Sequence, residues 1–204
     1  MRVKIEAHPE LEDVGDCIKR EALEAVIDEA TAIEGDFVRR LFRPGPWERF
    51  KRCLRPKASV EFSVGSLYLA RGEYDYLDFA EALLIIDLIA RGRIGMAFEI
   101  ARITGVGLRG RYRERGIYLS FAGFHGEVEL IDDKLVFHGE EDDIILSAGE
   151  FLDAERRFLE SLTFELKALF EECSEHGLER AYLENTASLR LLLKVMKYGN
   201  RLDG

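Results

Sequence analysis

Phe124-His-Gly-Glu127 recurs thirteen residues on as Phe137-His-Gly-Glu140. Asp132-Asp133, lying between the two copies, fits a two-residue hairpin turn. That turn sets Val128 opposite Phe137 and Leu130 opposite Leu135 on a core-facing side. Glu127 then faces His138 on the other side, with His125 and Glu129 two residues to either side of Glu127. Imidazoles and a carboxylate converging at His125, Glu127 and His138 are a donor set for a divalent transition metal, or an acid–base pair. The plainer alternative is a solvated face on which His and Glu pair across strands, and a register slip of one residue would scatter the cluster.

Gly105-Val-Gly-Leu-Arg-Gly110 has the GxGxxG spacing of a dinucleotide loop. Such a loop works only where a helix begins, because the helix N-terminus meets the pyrophosphate. Arg-Tyr-Arg-Glu-Arg-Gly follows instead, without an apolar helical stripe, so a glycine-rich hairpin loop fits better and no cofactor is expected. Arg109, Arg111, Arg113 and Arg115 remain candidates for holding a phosphate or carboxylate.

Residues 37–57 mix cations with Phe37, Phe42, Trp47 and Phe50, the composition of a nucleic-acid groove or a membrane-surface helix. Trp47, Phe50 and Leu54 fall at core-like spacing, however, and a structural amphipathic helical pair explains the block as well. GxSxG, HExxH, P-loop and SxxK motifs are absent from the sequence. Cys17, Cys53 and Cys173 are scattered, odd in number and without CxxC spacing, which fits buried thiols in a reduced cytoplasmic protein. Asp87 interrupts the longest apolar run, Ala82 to Ala90, which is too short for a membrane span. A carboxylate buried there needs a partner or a proton, and an arginine of the block 93–116 is the expected partner.

Charge is sorted along the chain. The net charge is -10, yet residues 35–57 carry eight Lys/Arg against two Asp/Glu, and residues 93–116 carry six Arg against two Glu. Acidic blocks surround them, the strongest being 117–151 with nine carboxylates and one lysine. Lys134 alone cannot satisfy Glu127, Glu129, Asp132 and Asp133, and then Glu140, Glu141, Asp142 and Asp143. That stretch is the candidate surface for a basic partner.

The elements that must position these groups follow from hydrophobic period. Residues 2–7 alternate as a strand, and 16–33 carry a helical stripe. Short helices are expected at 36–42 and 47–54, around the break Pro44-Gly45-Pro46. Alternation returns at 59–69, with a phase shift at Gly65-Ser66 that predicts a bulge or tight hairpin. Asp75 and Asp78 are candidate caps for a helix to Arg91, apolar almost all round and therefore buried. Strands are expected at 94–100, 117–122, 127–131, 134–138 and 143–146. Ser147-Ala-Gly-Glu150 reads as a capping box opening the longest helix, which Gly177 stops. A last helical region, 178–198, has a candidate break at Asn185-Thr186.

The order predicts an α+β fold as a single domain, 1–204. It has a helical part over 10–57, a sheet-rich middle over 58–146 and a helical end over 147–199. A mainly antiparallel sheet of about six to seven strands is packed by the N-terminal, middle and C-terminal helices. The function this supports is an acidic, non-enzymatic, cytoplasmic binding protein that masks a basic partner in the manner of an immunity or antitoxin protein. Two alternatives stay open. One is a small-molecule binder or metal-assisted enzyme using His125, Glu127 and His138. The other is a nucleic-acid accessory protein using 37–57, although the acidic balance disfavours nucleic acid.

Overall fold

Val3, Ile5 and Ala7 are buried while Glu6 and His8 are exposed, so the alternating N-terminus is a strand, β1 (Val3–Pro9). In the computed structural model, which describes residues 2–30, 50, 53–104, 112–113, 116–139 and 142–199, β1 pairs antiparallel with β2 (Lys57–Val64). β2 turns at Gly65-Ser66 into β3 (Leu67–Asp75). Of the two outcomes expected of the phase shift the tight hairpin occurs, with Gly65 at φ 64°, and a register shift lies away from the turn, between Phe62 and Ser63. The expected helices at 36–42 and 47–54 and the loop 105–110 lie outside the described residues.

Helix α1 (Glu12–Ala30) follows β1, and α2 (Tyr76–Ala90) follows β3 directly. Asp75 caps α2 by accepting a hydrogen bond from the Asp78 amide at 3.0 Å. Every α2 residue except Asp78 is buried, as the encircling apolar pattern requires. Gly92 at φ 71° ends the helix, its amide bonded to the Ile89 carbonyl.

Residues 94–100 are not a strand. They open α3 (Ile94–Thr104). The alternation of Ile94, Met96, Phe98 and Ile100 counts only the large residues, whereas Ala97 and Ala101, both fully buried, share a helical face with Ile100. Met96, which the strand reading treated as one of the apolar set, is exposed.

The second sheet has the order β4 (Tyr112–Arg113), β5 (Gly116–Phe121), β6 (Phe124–Ile131), β7 (Lys134–His138), β8 (Asp143–Ser147), all antiparallel. Asp132 and Asp133 adopt φ 47° and 66° in the expected two-residue turn. Val128 faces Phe137, Leu130 faces Leu135 and Glu127 faces His138, as the pattern predicts. The fold is therefore α+β, with its strands in two separate sheets.

Helix α4 (Ala148–Glu175) begins at Ser147, but no capping box forms because the Ser147 side chain makes no capping bond. The Asp133 carbonyl takes the Ala148 amide instead, at 3.0 Å. Gly177, at φ 68°, stops α4. The last helical region breaks at Thr186 into α5 (Glu179–Asn185) and α6 (Ala187–Gly199), with the buried Thr186 hydroxyl donating to the Tyr182 carbonyl.

Phe62 of β2 meets Phe137 of β7 edge to face at 5.7 Å, so both sheets share one core, which α2 and α4 enter through Phe79 and Phe158. A second cluster gathers Val14, Ile18, Leu54, Leu169 and Tyr182. Packing there brings Cys17 and Cys53 together as a disulfide across 36 residues, with Cα atoms 5.5 Å apart. This overturns the expectation of three free thiols: spacing along the chain carried no sign of a contact made by packing. Cys173 is free and buried, and burial pushes its thiol up to about 12.

Asp87 is fully buried, as expected, but it is bonded to Arg91, the residue capping the C-terminus of the same helix, which lies just outside the block 93–116. The helical repeat sets Arg91 one turn on, where its Nε reaches both carboxylate oxygens at 3.0 and 2.8 Å. Glu155 of α4, only 1% exposed, packs against this pair, and burial, then the charge of Asp87, holds its carboxyl far above the usual glutamate range. Among the described residues, no helix is long and apolar enough to cross a membrane.

Candidate functional site

Asp75, Asp78 and Glu81 recur at intervals of three along the start of α2, which aligns them on one face of the helix. Arg55, just before β2, reaches across to that face. Its Nε donates to Asp75 Oδ2 at 2.8 Å and its Nη2 donates to Asp78. One turn further, Glu81 accepts from the Ser188 hydroxyl of α6. Glu81 is 5% exposed, and burial holds its carboxyl above the usual range. Asp78 is raised too, first by burial and then by the neighbouring charge of Asp75.

These groups line a cleft of about 700 Å³. Its opposite wall is the β5–β6 turn, Ala122-Gly123, with φ 43° and 83°. The left-handed φ favours glycine at 123, and a Cβ there would stand 2.6 Å from the Tyr74 hydroxyl, which would have to shift. Ser120 and His125, paired across that hairpin, share a hydrogen bond of 2.6 Å between Oγ and Nδ1. The cleft holds four carboxylates (Glu73, Asp75, Asp78, Glu81) against two cations (Arg55, Lys57). Arg55 is already engaged by two of them.

Gly123 and His125 also line a second hollow, of about 400 Å³, on the far side of the turn. Phe124, Phe137 and Leu69 form its buried floor, Leu67 and Tyr68 are half exposed at its wall, and Asp142 lies at its edge. The acid cleft and the apolar hollow thus adjoin at one hairpin turn.

The candidate residues from the sequence are dispersed relative to this site. Asp132 and Asp133 are exposed at the β6–β7 turn, and Asp142 and Asp143 are exposed at the other end of β7. The five residues of β7 separate the two pairs by roughly 17 Å. One acidic run is therefore two patches, and only the second adjoins the hollow. Glu140 and Glu141 lie outside the described residues, as do Arg109, Arg111 and Arg115; of Arg113, only the backbone pairing with Gly116 is described.

The metal cluster does not assemble. His125 turns to Ser120, while His138 sits between Asp143, at 2.9 Å from Nδ1, and Glu129, at 3.6 Å from Nε2. Glu127 lies half-buried opposite Tyr118 and His138. The register is the expected one, and His125 and His138 each find a partner on a neighbouring strand, Ser120 and Asp143. Among the described residues, no group of His, Cys, Asp and Glu is arranged to hold a metal ion.

Of the basic block 37–57, Arg55 pairs inward with the acidic residues of α2. The sequence reading passed over Tyr74, Glu81, Ser120, Gly123 and Ser188 as site residues. One signal was present: Asp78 and Glu81, three residues apart, on a helix whose one other charged residue is Asp87. The chain matches no family model, and neither a curated protein nor a solved structure matches it.

Proposed function

We propose that this chain is a binding protein without chemistry of its own, taking a basic segment of another protein at the end of the molecule formed by the acid cleft and Asp142-Asp143. The observation that carries this is the carboxylate excess in the cleft, which persists after Arg55 is engaged. A cationic segment entering it exchanges water for fixed carboxylates, and the net charge of -10 steers its approach. Neutralisation of a basic toxin, as by an immunity or antitoxin protein, is the specific form we favour. The Cys17–Cys53 bridge takes away the free-thiol argument for a cytoplasmic setting, and the proposal is independent of compartment.

A blocked, labelled lysine-rich peptide serves as the probe. Its affinity should fall steeply from low to physiological salt. Charge reversal by Glu73→Lys or Asp142→Lys should weaken it, whereas Asp132→Lys, about 17 Å away along β7, should change it little. Absence of binding at low salt, or dependence on Asp132 instead of Glu73, overturns the proposal.

The Ser120–His125 bond inside a cleft of drug-sized volume favours one other reading, a small-molecule site with proton-transfer capacity. Labelling of Ser120 by a fluorophosphonate, lost in His125→Ala, would mark that reading as the better one.

A further inference from the structure

β3 is an edge strand: it pairs with β2 on one side only, at the end of the order β1-β2-β3. Alternate N–H and C=O groups of an edge strand point away from its one partner. Among the described residues, the backbone of Leu67–Asp75 makes no backbone bond beyond its pairing with β2. Its nine residues span roughly 26 Å, long for an edge left open.

The two ends of this edge border different chemistry. Leu67, Tyr68 and Leu69 line the apolar hollow, whereas Glu73, Tyr74 and Asp75 line the acid cleft. Leu67 and Tyr68 are 52% and 50% exposed, and they line the hollow together with the buried Leu69, Phe124 and Phe137. Gly72, at φ 136°, offers no side chain, and the Tyr74 ring lies 3.3 Å from where a Cβ would stand. The strand's one cation, Arg71, is stacked 4.7 Å over the Tyr68 ring.

The structure assigns the free edge of β3 as the docking site for an extended segment of a partner protein, apolar at one end and cationic at the other. The segment adds as a fourth strand to the first sheet. Backbone bonds supply the common part of the affinity, and every second side chain enters a hollow: apolar ones beside Leu67 and Phe124, Lys or Arg beside Glu73 and Asp78. Charge complementarity sets the cationic end of the occupant, because the cleft at that end of β3 holds four carboxylates against two cations. This deepens the reading of the acid cleft as the site of a basic partner and rests on it.

The test uses the full chain and a library of blocked, fluorescein-labelled nonapeptides. These alternate Leu or Val with Thr in one half and Lys or Arg with Thr in the other. Fluorescence anisotropy should give saturable binding for members of this pattern. Leu67→Glu and Glu73→Lys, both at exposed positions, should each weaken it about tenfold or more. N-methylation of the peptide backbone at one set of alternate residues should abolish binding, while the intervening set should be tolerated. Because that arm leaves the protein untouched, it holds even if a variant folds poorly.

Binding that needs Glu73 but ignores N-methylation overturns edge pairing and leaves the acid-cleft reading standing. Failure of both these peptides and the lysine-rich probe overturns the two together. A self-association broken by Leu67→Glu, with no peptide binding, gives the edge to a second copy of this chain and overturns the proposal.

Discussion

Glu155→Gln should make the protein more stable, and increasingly so as pH rises. Glu155 and Asp87 are 1% and 0% exposed, and the Arg91 guanidinium is bonded to Asp87. Two buried carboxyls beside that cation favour a proton held on Glu155, and burial followed by the charge of Asp87 raises its pKa from 4.5. The unfolded chain releases that proton near the usual glutamate value and the folded chain keeps it. Above that value the native state therefore binds more protons, and stability falls as pH rises toward the folded pKa. The slope is at most about 1.4 kcal/mol per pH unit, or about 4 kcal/mol from about pH 5 to about pH 8. Glutamine keeps the volume and a donor for Asp87 but has no proton to lose. Its advantage over the parent chain should be small near pH 5 and exceed about 1 kcal/mol by about pH 8. Urea unfolding followed by circular dichroism at several pH values measures the difference directly, and titrations shared by both chains cancel. A difference that stays flat with pH, or shrinks as pH rises, refutes the shared-proton account.

Gly126→Ala should cost about 3 kcal/mol or more, or prevent folding, because its Cβ would land 1.9 Å from the His138 carbonyl oxygen in the adjoining strand. Gly149→Ala, in the first turn of α4 with its nearest neighbour at 3.6 Å, should be neutral or stabilising by about 0.5–1 kcal/mol, and denaturant midpoints compare the two. Thiol titration of the denatured, unreduced chain should count one free cysteine, and three after reduction. Reduction should lower stability by about 3–4 kcal/mol for a bridge across 36 residues. Equal midpoints with and without reductant would contradict that bridge.

Much of the fold was legible because its signals are local. β1 follows from the alternation over residues 2–7, and the β6–β7 register from Asp132-Asp133 together with the matched Val128/Phe137 and Leu130/Leu135 pairs. Asp75 and Gly177 mark helix ends through their own backbone and capping chemistry. α3 escaped because large side chains happened to alternate, while two alanines, which pack closely but weigh little in a hydrophobic pattern, carried the buried face.

What a charge or a cysteine does was not legible, because it depends on which residues meet. Sequence alone established an acidic chain with carboxylates concentrated near 127–143 and strands that place Glu127 opposite His138. Only the tertiary structure decided which of those carboxylates adjoin the hollow: Asp142 lines it, while Asp132 and Asp133 lie at the other end of β7. Tertiary packing likewise joined Cys17 to Cys53, and built an acid cleft from Arg55, Asp75 and Glu81, Gly123 and Ser188, residues drawn from four separate parts of the chain. Their proximity comes from two sheets and α2 sharing one core, a contact that no window of sequence contains.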